Sequence, residues 1–234
     1  MKLVKYIAYC FAAVIVLSSC SVTHQAAGVK MSSIPVFAFV QPCAYMVFYG
    51  DDGAGYYNQA NTDAASQVIA NVINSERFPF TDMIPADYQG SNNDIFQWAR
   101  NLTGIKASQV ERLRVPKTLL SLIQESGQRY GILIYSYGYT MSETAYQKER
   151  LEKAASKVID TAAEKLTGIS GLTNPSRSYT PSDPYGNEMA CVVIDAQEQR
   201  VVYYSKQTPT FASHPRDNAD VSTLLHKLLK DFIR

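Results

Sequence analysis

The chain has 234 residues, 46% of them hydrophobic and 18% charged, with a formal net charge of +1. That length suits one domain of ordinary size with enough apolar content to bury a core. Removing residues 1–19 takes away Lys2 and Lys5 and no acid, so 20 basic residues then face 21 acidic ones, and a balance near −1 excludes the basic stripe that nucleic-acid binding requires. Along the chain, Lys2 and Lys5 form a short positive leader, and Tyr6–Leu17 runs without a charge. About 12 apolar residues make a signal-peptide core and fall short of the roughly 20 that span a bilayer. The run closes on Leu17-Ser18-Ser19-Cys20.

An aliphatic residue, two small residues and a cysteine resemble the lipobox of bacterial lipoproteins. The resemblance implies that residues 1–19 are a removed signal peptide and that Cys20 becomes the lipid-bearing amino terminus. Several acyl chains, at about 0.8 kcal/mol per buried CH₂, make such an anchor practically permanent. Ser21, where an acid would otherwise signal retention, favours the outer membrane under bacterial sorting rules. No acidic cluster follows, which points to the periplasmic face.

Residues 20–34 are small and polar and read as a tether. The globular domain is expected over 35–234. Pro35–Phe39 and Ala44–Tyr49 are β-prone, with Gln41-Pro42 between them, so they are two strands or one strand with a bulge at Pro42. Gly50–Gly55 is turn-rich. Thr62 or Asp63 can cap a helix whose apolar face is Ala65, Val68, Ile69, Val72 and Ile73. Helices are also expected around Asp94–Asn101, from Ser108, and after Val115-Pro116, the last with Leu119, Leu120 and Ile123 inward and Gly127 as its stop.

Tyr130–Tyr139 is apolar on both faces, as in a central strand covered on both sides. A long helix follows over Thr144–Leu166, with Thr144 and Gln147 at capping-box spacing and an alanine-rich stripe headed by Leu151. Residues 168–188 read as a flexible Ser/Pro/Gly loop. Met189–Asp195 and Arg200–Tyr204 form a hairpin. The closing helix turns Val221, Leu224, Leu225, Leu228, Leu229 and Phe232 inward. Strands alternating with helices give a single α/β domain, a mixed β-sheet packed by amphipathic helices.

The helix end Glu125-Ser126-Gly127, the strand Tyr130–Tyr135 and the hairpin Val192–Tyr204 resemble envelope lipoproteins of the curli-secretion and TolB amino-terminal type. The resemblance covers residues 116–234 and implies a periplasmic α/β module that recruits protein partners. The chain has no alternating transmembrane hairpins with which to build a secretion pore.

Candidate chemistry is sparse. Cys43 and Cys191 are the thiols left once Cys20 is lipidated. They form a disulfide or pack as two small hydrophobes. Cys43 with His214 or His226 and Asp217 is a conceivable thiol-hydrolase set, but no helix starts at Cys43. His24 falls in the tether, His226 on a polar helix face, and His214-Pro215-Arg216-Asp217 in a helix-entry loop. Asp51, Asp52 and Asp63 lack the spacing of a calcium loop, and no cofactor or metal motif is present. Tyr135, Tyr137 and Tyr139 alternate onto one strand face, with Tyr203 and Tyr204 in another strand. An exposed row would stack sugar rings, and a covered one would pack under a helix. The expected function is therefore a lipid-anchored, non-enzymatic binding or assembly module for an envelope protein partner. The alternative is a glycan- or peptidoglycan-binding lipoprotein using the tyrosine face.

Overall fold

The computed structural model describes residues 20–76, 78–86, 88, 93–152, 183–209 and 212–232. Seven strands form one mixed sheet in the order β1-β7-β6-β5-β3-β4, with the two-residue β2 also on β5. The strands are β1 Cys20–Gln25, β2 Ala38–Phe39, β3 Cys43–Tyr49, β4 Gly55–Tyr57, β5 Tyr130–Met141, β6 Tyr185–Asp195 and β7 Arg200–Thr208. The helices are α1 Gln59–Ser75, α2 Asp94–Asn101, α3 Lys117–Glu125, α4 over 143–152 and α5 Asn218–Leu228.

β5 is the axis of the domain. It pairs parallel with β2 and β3 on one side and antiparallel with β6 on the other. Because side chains alternate along a strand, Ile132 and Ile134 enter one core and Leu133 and Tyr135 the other. The first core lies under α1 and α5, with Ile69, Val72, Ile73, Val221, Leu225 and Leu228. The second lies under α2 and α3, with Ile95, Phe96, Ala99, Leu119 and Ile123. The result is a three-layer α/β domain, as the two-sided pattern of Tyr130–Tyr139 requires.

β2 and β3 are collinear on β5, broken at Val40–Pro42, because proline has no N–H to give the ladder. α3 ends where Gly127 takes a φ of 74°, a left-handed conformation that a side chain would oppose. Asp217 caps α5 by accepting from Ala219 and Asp220 N–H, so the entry loop expected at 214–217 is present.

Several expectations need correction. Residues 20–25, read as tether, pair with β7 from Cys20↔Thr208 to Gln25↔Tyr203. Val22 and His24 are half-buried between exposed Ser21, Thr23 and Gln25, a period of two that marks a half-covered edge strand. Beyond it Ala26, Met31 and Ile34 are buried. α1 starts earlier than expected, capped by the Asn58 side chain accepting from Asn61 N–H. Thr62 is buried instead, its Oγ1 accepting the Met46 N–H at 3.1 Å. Ser142, not Thr144, caps α4 by accepting from Ala145 N–H. Leu151, expected inward, is 71% exposed. β6 takes in Tyr185–Glu188, which the loop had claimed. The signal segment 1–19, the remainder of the long helix and the loop over 168–182 lie outside the described residues.

Candidate functional site

The three tyrosines of β5 share a face, as their alternation predicts, but the sheet carries them from core to surface. Tyr135 is fully buried, and burial first, then the neighbouring Cys43, pushes its phenol far above the usual range. Tyr137 is 36% exposed. Tyr139 is half-buried, its ring edge-on to Tyr49 at 6.1 Å and lying over Gly186, where a Cβ would come within 2.4 Å of the ring.

Tyr137 sits in a row that the sequence alone does not reveal. The parallel register sets Tyr45 of β3 beside it, the two rings 6.0 Å apart and 8° from parallel. Tyr57, 45% exposed, continues the row at 5.1 Å from Tyr45, and its hydroxyl donates to Gln59 Oε1 at 2.8 Å. Phe96 of α2 backs Tyr45 at 5.8 Å, and the Arg100 guanidinium stands 5.0 Å from the Tyr45 ring centre. Such pairs each contribute about 0.5–1.5 kcal/mol beyond area burial, with a cation over a ring adding a similar amount.

On the other side of Tyr137 the register brings Glu188 of β6. Its carboxylate meets Lys206 Nζ at 3.0 Å and accepts from Thr208 Oγ1 at 2.7 Å. The shelf therefore runs from an ion pair through three neighbouring phenols, with a second cation over the middle ring. Burial raises the Tyr137 phenol first, with Tyr49 and Tyr45 adding to it, so its hydroxyl stays protonated and able to donate.

The other tyrosine candidates are structural. Tyr203 and Tyr204 are fully buried on opposite faces of the sheet. Tyr204 donates to the Leu102 carbonyl at 2.7 Å and Tyr203 to Asp231 at 2.9 Å. Neither forms part of an exposed row.

Cys43 and Cys191 are both free and fully buried. Their register partners on β5 are the adjacent residues Tyr135 and Ile134, so they lie on opposite faces with β5 between them and cannot bond. Burial pushes both thiols well up, away from the depressed value a nucleophile needs. His214 stands elsewhere, edge-on to Tyr185 at 5.0 Å. Burial, then Arg216, lowers its pKa. His226 lies on the exposed helix face, as expected, with its side chain 54% exposed and 2.7 Å from Glu76. The aspartates disperse: Asp51 accepts from Ser142 at 2.6 Å, Asp52 from Ala54 N–H and Tyr56, and Asp63 from Gln59 at 2.7 Å. Among the described residues no three His, Cys, Asp or Glu side chains gather where they could hold a metal.

No protein-family model matches the sequence, and no curated protein matches it. Among solved structures, the chain is similar to the PelC dodecamer from Paraburkholderia phytofirmans, at 12% identity over 92% of this chain and 96% of that one, with a TM-score of 0.40. It is also similar to a DUF4136 family protein from Bacteroides thetaiotaomicron, at 10% identity over 91% of this chain and 95% of that one, with a TM-score of 0.32. Neither likeness bears on what this chain binds.

Proposed function

We propose that the chain is a non-enzymatic lipoprotein, anchored through Cys20 at the periplasmic face of the outer membrane, whose tyrosine shelf docks an envelope protein. The observation that carries the reading is the partly exposed row Tyr137–Tyr45–Tyr57, edged by Arg100 and by the Glu188–Lys206 pair. Tyrosine and arginine dominate protein-binding hot spots because each joins a large apolar surface to a hydrogen-bonding tip.

The glycan reading asks for open ring faces. Here Tyr45 is flanked by Tyr137 and Tyr57, and the Arg100 guanidinium stands over its ring. A sugar would find one face of Tyr137, beside Glu188, while a protein partner can use the ring edges and hydroxyls. The row favours the partner.

Truncating a hot-spot aromatic costs about 2 kcal/mol or more, roughly thirtyfold in affinity. Tyr137→Ala should therefore release a cross-linked envelope partner that wild type and Lys227→Ala retain, with the thermal melt confirming an intact fold. Equal retention by Tyr137→Ala removes the shelf from the reading. Co-sedimentation of wild type with purified peptidoglycan, lost in Tyr137→Ala, replaces the protein partner with a glycan.

A further inference from the structure

The register of β1 fixes more than the edge of the sheet. Cys20 is the first residue of β1 and is already paired with Thr208. If Cys20 bears the lipid, no slack chain separates the membrane from the sheet. The anchor then leaves the domain at one defined end.

Across the sheet, the residues level with Cys20 are Thr208, Glu188, Tyr137 and Tyr45. Beyond that level β3 runs on to Tyr49 and β5 to Met141. Four residues at about 3.3 Å each carry them about 13 Å past the anchor residue, on the side from which the lipid departs. The β3–β4 hairpin forms the tip. A domain tied at Cys20 cannot hold this tip away from the bilayer unless it tilts.

The two ends of the sheet differ in the way such an orientation asks. At the anchor end Tyr56 is 53% exposed and Tyr57 45% exposed, with Tyr49, Tyr139 and Tyr185 half-buried around them. Tyrosine is the side chain that membrane interfaces collect, since its ring enters the apolar boundary while its hydroxyl stays with the headgroups. The tip carboxylates are engaged within the chain, Asp51 by Ser142 and Asp52 by Tyr56 and Ala54. At the far end Arg129, just before β5, joins Asp195, Glu198 and Arg200 of the β6–β7 hairpin in a charged set linked at 2.5 to 3.4 Å.

We propose that the β3–β4 hairpin rests on the lipid surface, with Tyr56 at headgroup depth and the charged far end pointing away into water. This rests on the lipid at Cys20. The occupant is the bilayer that bears the anchor, and the engaged carboxylates suit zwitterionic headgroups. The tyrosine shelf then rises directly from the membrane surface, presenting its partner at a fixed height.

The test uses the full lipidated protein in vesicles of phosphatidylethanolamine and phosphatidylcholine. Trp98, the single tryptophan, is replaced by Phe, and a probe is placed by Tyr56→Trp at the tip or Arg200→Trp at the far end. Flotation with the vesicles reads the anchor, and brominated lipids read depth. The proposal expects flotation of both proteins, with a blue shift and loss of emission for Tyr56→Trp only. Flotation with Tyr56→Trp unquenched overturns the proposal and leaves the anchor standing. Failure to float removes the anchor and the proposal with it. Should the tryptophan variants not fold, amide hydrogen exchange of the unsubstituted protein serves, with protection of residues 50–57 expected in vesicles relative to detergent, and equal exchange overturning the orientation.

Discussion

Replacing Leu225 and Leu228 together by alanine should bring the protein close to unfolding. Both side chains are fully buried, and they close the core shared by α1, α5 and the strand residues Ile132, Ile134 and Val193. Each truncation costs about 2–5 kcal/mol through lost burial and the cavity left behind. The whole domain is stable by only about 5–15 kcal/mol. Termini fray unless packing ties them down, and here the packing reaches Phe232, whose ring meets Phe37 and Tyr203 at 5.2 Å. Lys227→Ala, on the exposed face of the same helix, should change little. Thermal melts followed by circular dichroism decide it: a double variant that melts with wild type would mean that α5 is not core.

The second large effect is expected at Asp195, whose carboxylate is 1% exposed at the far end of β6. It accepts from Arg129 at 3.0 and 2.7 Å and from the N–H groups of Gln197 and Glu198 at 3.0 and 3.2 Å, which holds the β6–β7 turn. Removing it as Asp195→Ala leaves those donors unmatched, a loss on the order of 2 kcal/mol, since Arg129 is 43% exposed and water compensates part of it. Burial alone would raise the Asp195 pKa. The hydrogen bonds from Arg129 and the two backbone groups outweigh burial and hold it below the usual range. A carboxylate depressed by folding contributes stability above its unfolded pKa of about 3.9 and loses it as the pH falls further. The gap in melting temperature between wild type and Asp195→Asn should therefore be full at pH 7 and close below about pH 4. A gap that is constant with pH would contradict the ionised pairing.

Much of this fold was legible because its main elements repeat one signal several times over. The closing stripe returns at helical spacing from Val221 in α5 to Phe232 in the 3-10 turn that follows, and all six of its apolar residues are buried. Ile132 to Tyr135 announce a strand covered on both faces, and both cores meet there. What failed was decided by partners distant in sequence. Cys20–Gln25 is polar enough to read as tether, and only β7, some 180 residues on, makes it a strand. Its alternation of Val22 and His24 was the available sign. Thr62 looked like a cap, and the Met46 N–H claims it for the sheet. The shelf was half visible. Tyr137 could be read from its alternation with Tyr135 and Tyr139, whereas Tyr45 joins it through a parallel register across about 90 residues that no local pattern encodes. Tyr57 and Arg100 arrive through β4 and α2, elements that short runs specify weakly.

The proposed anchor, compartment and orientation all rest on Cys20 more than on any other residue. Metabolic labelling with a fatty acid analogue, wild type beside Cys20→Ala, tests it directly. The account predicts lipid on the wild-type protein, none on Cys20→Ala, and recovery of the wild type in the outer-membrane fraction. Equal labelling of the two proteins, or a wild type that is unlabelled and free in the periplasm, would contradict it.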